Sequence, residues 1–195
     1  MTYSQNDEEA VIGEFFAGRV GTFIDVGAYD GKTFSNTFAL VERGWSGYLI
    51  EPSTRAFPAL RQLHEGRRGL ILINALIAPQ PGLKRFWESD DAVSTTEKSH
   101  FEKWESVGQY HAPVYMPTVT MVDVLAMANG QPIDFLSIDT EGTSVDVLKS
   151  YPFGLSQPSL VCVEHDSREP EVDGFLKGHG YSLLASNAEN LIFKR

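Results

Sequence analysis

The sequence predicts an α/β fold in which helices cover both faces of a mostly parallel β-sheet. Short apolar runs alternate along the chain with segments of helical periodicity. The connections between most apolar runs are too long for hairpins and suit right-handed crossovers. The length of 195 residues, 42% of them hydrophobic, suits one domain over residues 1–195 and leaves little room for a second core.

The N-terminal part shows three strand patterns, each preceded by a helical one. An amphipathic pattern predicts a helix over 8–16. The predicted elements that follow are a strand over 22–26, a helix over 33–43, a strand over 48–51, a helix over 56–63 and a strand over 70–73. Gly27 and Gly31 place a turn between the first strand and its helix.

The middle of the chain lacks steady periodicity. Prolines frame it, and we predict a strand over 84–88 and a long functional loop over 89–115, with a helical turn or two around 97–104. The loop region is rich in aromatic residues: Trp87, His100, Trp104, Tyr110, His111 and Tyr115. These side chains suit stacking on sugar rings or closing over a cofactor, or else form a satellite core beneath the loop.

Regular patterns return in the C-terminal part. The predicted elements are a helix over 121–127, a strand over 135–139, a helix over 146–150, a strand over 160–164, a helix over 172–177 and a hairpin of 181–185 with 191–194. Pro152 ends the helix predicted over 146–150, and the stretch 178–180 with its two glycines ends the helix predicted over 172–177.

Charge and cysteine content exclude several classes of protein. Lys and Arg number 16 against 26 Asp and Glu, and the net charge of −10 argues against a nucleic-acid groove or an anionic membrane as partner. The single cysteine, Cys162, excludes an internal disulfide framework and a cysteine-built zinc site. Without a signal-like segment or an apolar run of about 18 residues, a cytoplasmic location is expected.

Acidic residues stand where the predicted strands end. Asp25, Glu51, Asp139 and Glu164 close four of the strands, and Asn74 follows another. Ligands of open parallel sheets bind beyond these carboxyl ends. Acids gathered at one edge repel one another unless a ligand or a metal offsets their charge. The sequence therefore predicts a binding site for a group other than an anion.

The first glycine turn favours S-adenosylmethionine over a dinucleotide. Gly27 is followed by Ala28, Tyr29, Asp30 and Gly31, which lacks the G-x-G-x-x-G pattern of dinucleotide sites. Two acids at this turn, Asp25 and Asp30, repel a diphosphate but suit an amine. Glu51, at the end of the next strand, can accept hydrogen bonds from both hydroxyls of a ribose.

Several segments together resemble the FkbM-type S-adenosylmethionine-dependent methyltransferases. They are residues 23–31 (FIDVGAYDG), 35–36 (SN), 44–52 (GWSGYLIEP), 134–142 (DFLSIDTEG), 180–181 (GY) and 190–193 (NLIF). The resemblance spans nearly the whole chain. It implies the class I methyltransferase (Rossmann-like) three-layer sandwich, with a seven-stranded sheet whose last strand is antiparallel, and methylation of oxygen on sugars, glycans or polyketide-type metabolites.

The same resemblance implies a set of cofactor-binding residues. Residues 25–31 would line the methionine part, Glu51 would bind the ribose, and Asn74 with Ala75 would lie by the adenine. The full predicted set is Asp25, Gly27, Ala28, Tyr29, Asp30, Gly31, Ser35, Asn36, Glu51, Pro52, Ser53, Asn74, Ala75 and Asp139.

Methyl transfer to a hydroxyl needs a group that takes its proton. We predict that Asp139 faces the reacting methyl group and that His165 or Glu141 acts as the base, although Glu141 can also stabilise the start of the following helix. A divalent metal at these strand ends is a rival mechanism without a ligand spacing to support it, so no metal is predicted. The alternatives are a nicotinamide-dependent oxidoreductase or epimerase and a non-catalytic interaction module.

Overall fold

Ten strands and seven helices occupy residues 2–106 and 110–195, the part of the chain that this computed structural model describes. The helices are α1 (Glu8–Phe16), α2 (Phe38–Glu42), α3 (Phe57–Leu63), α4 (Lys98–Trp104), α5 (Met121–Met127), α6 (Ser144–Ser150) and α7 (Glu169–Gly178). The strands are β1 (Thr22–Val26), β2 (Ser46–Ile50), β3 (Leu70–Ile73), β4 (Leu76–Ile77), β5 (Gly82–Phe86), β6 (Val114–Val119), β7 (Phe135–Ile138), β8 (Leu160–Glu164), β9 (Ser182–Ser186) and β10 (Asn190–Lys194).

Seven of these strands form the central sheet, in the order β3-β2-β1-β7-β8-β10-β9. The first five pair in parallel, and β10 runs antiparallel to both of its neighbours. The predicted mostly parallel sheet with an antiparallel last strand is therefore confirmed. The sheet order reverses between β1 and β7, which is the point where open α/β sheets bind ligands.

Core residues lie on both faces of the sheet, as the continuous apolar strands require. Phe23 of β1 packs in a cluster with Phe135 and Leu160, whereas its neighbour Ile24 packs in a second cluster that contains Leu136. All of these side chains are fully buried. Successive residues of a strand point to opposite faces, so the two clusters are the two interfaces of a three-layer sandwich.

The prediction of one long loop over 89–115 is wrong at its C-terminal end. Residues 114–119 form β6, the middle strand of a small sheet in the order β4-β6-β5. Pro117 interrupts the apolar pattern of β6, so the sequence pattern does not predict this strand. Residues 107–109 of the predicted loop lie outside the described residues.

The helix predicted over 33–43 begins later, at Phe38. The Ser35 hydroxyl accepts hydrogen bonds from the backbone N–H groups of Thr37, at 3.2 Å, and Phe38, at 3.0 Å. Phe34 has a positive φ of 58°, which a helix does not allow. The segment from Lys32 to Thr37 is thus a hydrogen-bonded turn and not the first part of a helix. It lies next to the switch point of the sheet. None of the described helices has the length and apolar composition of a membrane span.

Candidate active site

A cavity of about 1270 Å³, including its open mouth, lies at the carboxyl ends of β1, β2 and β7. It contains eleven of the residues that sequence analysis assigned to cofactor or catalysis: Asp25, Gly27, Ala28, Tyr29, Ser35, Asn36, Glu51, Pro52, Ala75, Asp139 and Glu141. The loops after three parallel strands meet there because parallel strands end at the same edge.

Glu51 is a buried carboxylate in the wall of the cavity, directly after β2. One carboxylate oxygen accepts a hydrogen bond from the Tyr29 backbone N–H at 2.8 Å and the other accepts one from Ser53 at 2.7 Å. The side chain is only 5% exposed, and burial raises its pKa to about 7 against the smaller lowering by these hydrogen bonds. Each oxygen keeps a further lone pair for a ligand.

Asn36 and Asp25 form a second buried polar group of the cavity wall. Thr37 donates a 2.6 Å hydrogen bond to Asp25, whose pKa burial raises to about 6. The Asn36 amide nitrogen donates weakly to Ser137, at 3.5 Å, and its carbonyl oxygen is buried without a partner among the described residues. A buried acceptor without a donor is costly, which fits a site that a donor group of a ligand completes.

Three carboxylates gather where β7 and β8 end. Oxygens of Asp139, Glu141 and Glu164 all lie within 4.8 Å of one another. Burial, followed by repulsion from neighbouring carboxylates, raises the pKa of both Asp139 and Glu164. Both carboxyl groups therefore hold a proton more readily than an exposed carboxyl does. The Ser144 hydroxyl donates to Glu164 at 2.8 Å and fixes its position.

His100 lies beside Glu141, a contact that sequence analysis did not anticipate. The imidazole Nε2 is 3.1 Å from the Glu141 carboxylate. The Thr95 hydroxyl donates to the backbone carbonyl of Glu141 at 2.7 Å. Both contacts come from the segment before and within α4, so this segment holds the loop after β7. The signal available in the sequence was the aromatic-rich stretch around His100, but nothing in it indicated a carboxylate partner.

Five of the predicted site residues lie outside the cavity. Asp30 instead accepts hydrogen bonds from the backbone N–H groups of Lys32 and Thr33. The Ser53 hydroxyl accepts from residues at the start of α3. Gly31 packs against Leu60 and His64. The Asn74 side chain donates hydrogen bonds to the backbone carbonyls of Glu51 and Pro52. The His165 Nδ1 accepts a hydrogen bond from the backbone N–H of Ser167.

Other lining residues were not predicted. Phe34 and Lys84 line the cavity together with Asp91 and Thr96 from the segment before α4. Two of the aromatic residues of the middle segment pack against Phe101, as the satellite-core alternative predicts: Trp87 stacks on Phe101 with ring centroids 5.3 Å apart, and Tyr110 contacts Phe101 edge-on at 5.0 Å.

The sheet order, the antiparallel last strand and the cavity at the switch point define a class I, Rossmann-like methyltransferase fold. The model of the methyltransferase FkbM domain matches residues 25–183. The chain belongs to this family, and the resemblance found in the sequence is confirmed. None of the curated proteins compared with the chain matches it.

Solved structures share the fold at low sequence identity. The FkbM methyltransferase from Methylobacillus flagellatus superposes with a TM-score of 0.58 at 10% identity, covering 90% of this chain and 44% of that one. The chain thus spans less than half the length of this relative. An O-methyltransferase from Bacillus cereus in complex with SAH superposes with a TM-score of 0.52 at 12% identity, covering 98% of this chain and 81% of that one. A ribosomal protein L11 methylase from Lactobacillus delbrueckii superposes with a TM-score of 0.53 at 11% identity, covering 96% of this chain and 77% of that one.

Proposed function

We propose that residues 1–195 form a single S-adenosylmethionine-dependent methyltransferase domain that methylates a hydroxyl group of a sugar, a glycan or a related secondary metabolite. Membership of the FkbM family supports methyl transfer as the reaction. The observation that carries the cofactor assignment is Glu51, a buried carboxylate at the end of β2 with free lone pairs facing the cavity. A carboxylate at this place is suited to the two hydroxyls of a ribose.

The polar groups of the cavity fit this cofactor. When bound, S-adenosylmethionine supplies a methyl group made electrophilic by the sulfonium sulfur. Glu51 would accept the ribose hydroxyls, and the unpartnered Asn36 carbonyl oxygen would accept an N–H of the ammonium group. Asp25 adds negative charge near this end. A diphosphate would meet the acids Asp25, Glu51 and Asp139 instead, which speaks against a nicotinamide dinucleotide.

The acceptor hydroxyl must lose its proton as the new bond forms. In our proposal Asp139 faces the reacting centre and Glu141 takes the proton, since both line the cavity and His165 does not. His100 Nε2 lies 3.1 Å from the Glu141 carboxylate and borders it on the side of α4.

Incubation with a deuterated methyl donor tests the proposed reaction. The acceptors are neutral sugars, nucleotide sugars and glycolipids, and mass spectrometry follows the replacement of a hydrogen by the labelled methyl group. We expect transfer to oxygen that persists in excess chelator. Transfer to nitrogen or carbon only, or none to any hydroxylated acceptor despite cofactor binding, contradicts O-methylation, and loss of activity in chelator supports the metal-assisted alternative.

A further inference from the structure

Phe34 presents a half-exposed aromatic ring at the mouth of the cavity. It lines the cavity, and 53% of its surface is exposed. Its backbone is in the left-handed region, with φ 58°. This conformation is unfavourable for a bulky residue and persists only where the surroundings enforce it.

Hydrogen bonds on both sides of Phe34 enforce its conformation. Before it, the Asp30 carboxylate accepts from the backbone of Lys32 at 2.8 Å and of Thr33 at 2.7 Å. After it, the Ser35 hydroxyl accepts from the backbone N–H groups that begin α2. The backbone of Ser4 pairs with Phe34 itself in an isolated parallel bridge. The chain thus places the ring at the mouth, although hydrophobic burial would favour the interior.

We propose that the Phe34 ring is the acceptor-binding platform of this site and stacks on the apolar C–H face of a sugar ring. The inference rests on the proposed function. Sugar rings expose a face of C–H groups between their hydroxyls, and an exposed aromatic ring can cover that face and recover the hydrophobic contribution.

The position of Phe34 assigns it to the acceptor and not to the cofactor. The polar groups proposed for the cofactor, Glu51, Asp25 and Asn36, are all more than nine-tenths buried. Phe34 is half exposed at the entrance, where an incoming acceptor would meet it. Trp87, Phe101 and Tyr110 pack against one another and do not line the cavity. Of the other aromatic lining residues, Phe86 is buried and Tyr29 is half-buried, so Phe34 offers the most exposed ring.

Saturation-transfer NMR with methyl hexopyranosides tests the inference on the whole chain. The protein is first saturated with S-adenosylhomocysteine, whose affinity is measured by calorimetry for every variant. Glycerol serves as an acyclic polyol without a ring face. We expect transfer to the ring C–H protons of at least one pyranoside and none to glycerol.

Three variants separate the ring from general effects. Phe34→Ala keeps the Cβ and its backbone strain, and should weaken pyranoside binding about tenfold, the upper range of an aromatic contact. Phe34→Trp should retain binding. Leu155→Ala removes another exposed apolar side chain, 75% exposed and outside the cavity, and should change nothing. Phe34→Gly, which relieves the strain, replaces Phe34→Ala if that protein does not fold.

The outcomes test the role of Phe34 separately from the proposed methyltransferase function. Weaker pyranoside binding with unchanged S-adenosylhomocysteine affinity supports the platform. The inference is overturned if no pyranoside binds, if Phe34→Ala binds as wild type, or if Phe34→Ala loses S-adenosylhomocysteine affinity, since the ring would then contact the cofactor. A wild-type protein that does not bind S-adenosylhomocysteine at all overturns the proposed function as well.

Discussion

The Cα atom of Gly27 lies directly against the backbone carbonyl of Asp139. A Cβ on Gly27 would stand 1.6 Å from that oxygen, and the Gly27 φ of 88° is itself unfavourable for other residues. The loops after β1 and β7 can meet at the cavity floor only because this position carries no side chain. This contact joins the proposed cofactor loop to the proposed catalytic carboxylate.

Gly27→Ala should separate these two loops and abolish S-adenosylhomocysteine binding. The atom in the way belongs to the backbone, so no side-chain rotation relieves the clash. Gly44→Ala is the matched control, because Gly44 has the same φ of 88° and open space around its Cα. Both variants should lose about 1 kcal/mol of stability to backbone strain, and Gly27→Ala should lose several kcal/mol more. Equal unfolding free energies for the two variants would contradict the clash.

Glu51→Gln should weaken S-adenosylhomocysteine binding by about tenfold to a hundredfold, because a neutral amide is a weaker acceptor for ribose hydroxyls. Glu88→Gln is the control. Glu88 is also a buried carboxylate that accepts a backbone N–H, from Thr54 at 2.6 Å, but it lies outside the cavity. Calorimetry should show unchanged binding for Glu88→Gln, and a similar loss in both variants would remove Glu51 from the site.

The raised pKa of Glu51 predicts how stability depends on pH without a ligand. The pKa rises from 4.5 in the unfolded chain to about 7 in the folded one, so the folded state holds this proton more tightly. Its stabilising contribution is complete below pH 4.5 and is lost as pH rises through about 7. Urea unfolding should show that the wild-type protein is less stable at about pH 8 than at about pH 5. In Glu51→Gln this loss of stability should be smaller by up to roughly 3 kcal/mol. The same loss in both proteins would contradict the raised pKa of Glu51.

Glu141→Gln should lower kcat about a hundredfold or more while S-adenosylhomocysteine affinity stays the same, because only proton removal is lost. His165→Asn separates the two bases that the sequence allowed. An asparagine oxygen can still accept from Ser167, and His165 lies outside the cavity, so this variant should keep its activity. The reverse result, with His165→Asn inactive and Glu141→Gln active, would assign the base to His165.

Phe34→Gly should raise the free energy of unfolding by about 1 kcal/mol, because glycine adopts the φ of 58° without strain. Methyl transfer to a sugar should fall in the same variant. Thermal unfolding beside an activity assay checks both effects. A variant that is less stable than wild type would show that the ring contributes more to packing than the backbone strain costs.

The central sheet was predictable because five of its strands are short runs that are buried along almost their whole length: β1, β2, β7, β8 and β10. Of the small sheet only β5 was predicted, as a strand over 84–88. The other two strands were missed because β4 has only two residues and Pro117 disrupts the pattern of β6. Such strands are stabilised by contacts with residues distant in sequence.

The candidate site was predictable only in part, for a related reason. Asp25 at the end of β1, with Glu51 and Asp139 directly after β2 and β7, had to meet at one edge of the sheet. Asp30 stands in the loop after β1, but its side chain turns back to the local backbone, as aspartate in turns often does. The contact of His100 with Glu141 joins segments whose relative position depends on the docking of α4, which no local pattern encodes.

The central claim is that the cavity at the ends of β1, β2 and β7 binds S-adenosylmethionine through Glu51. The most direct test is calorimetric titration of the wild-type protein and of Glu51→Gln with S-adenosylhomocysteine and, separately, with NADH. The account predicts one S-adenosylhomocysteine site in the wild type, weakened in the variant, and no binding of NADH. Binding of NADH without S-adenosylhomocysteine would assign the cavity to a dinucleotide, and binding of neither would leave a methyltransferase fold that serves as an interaction module.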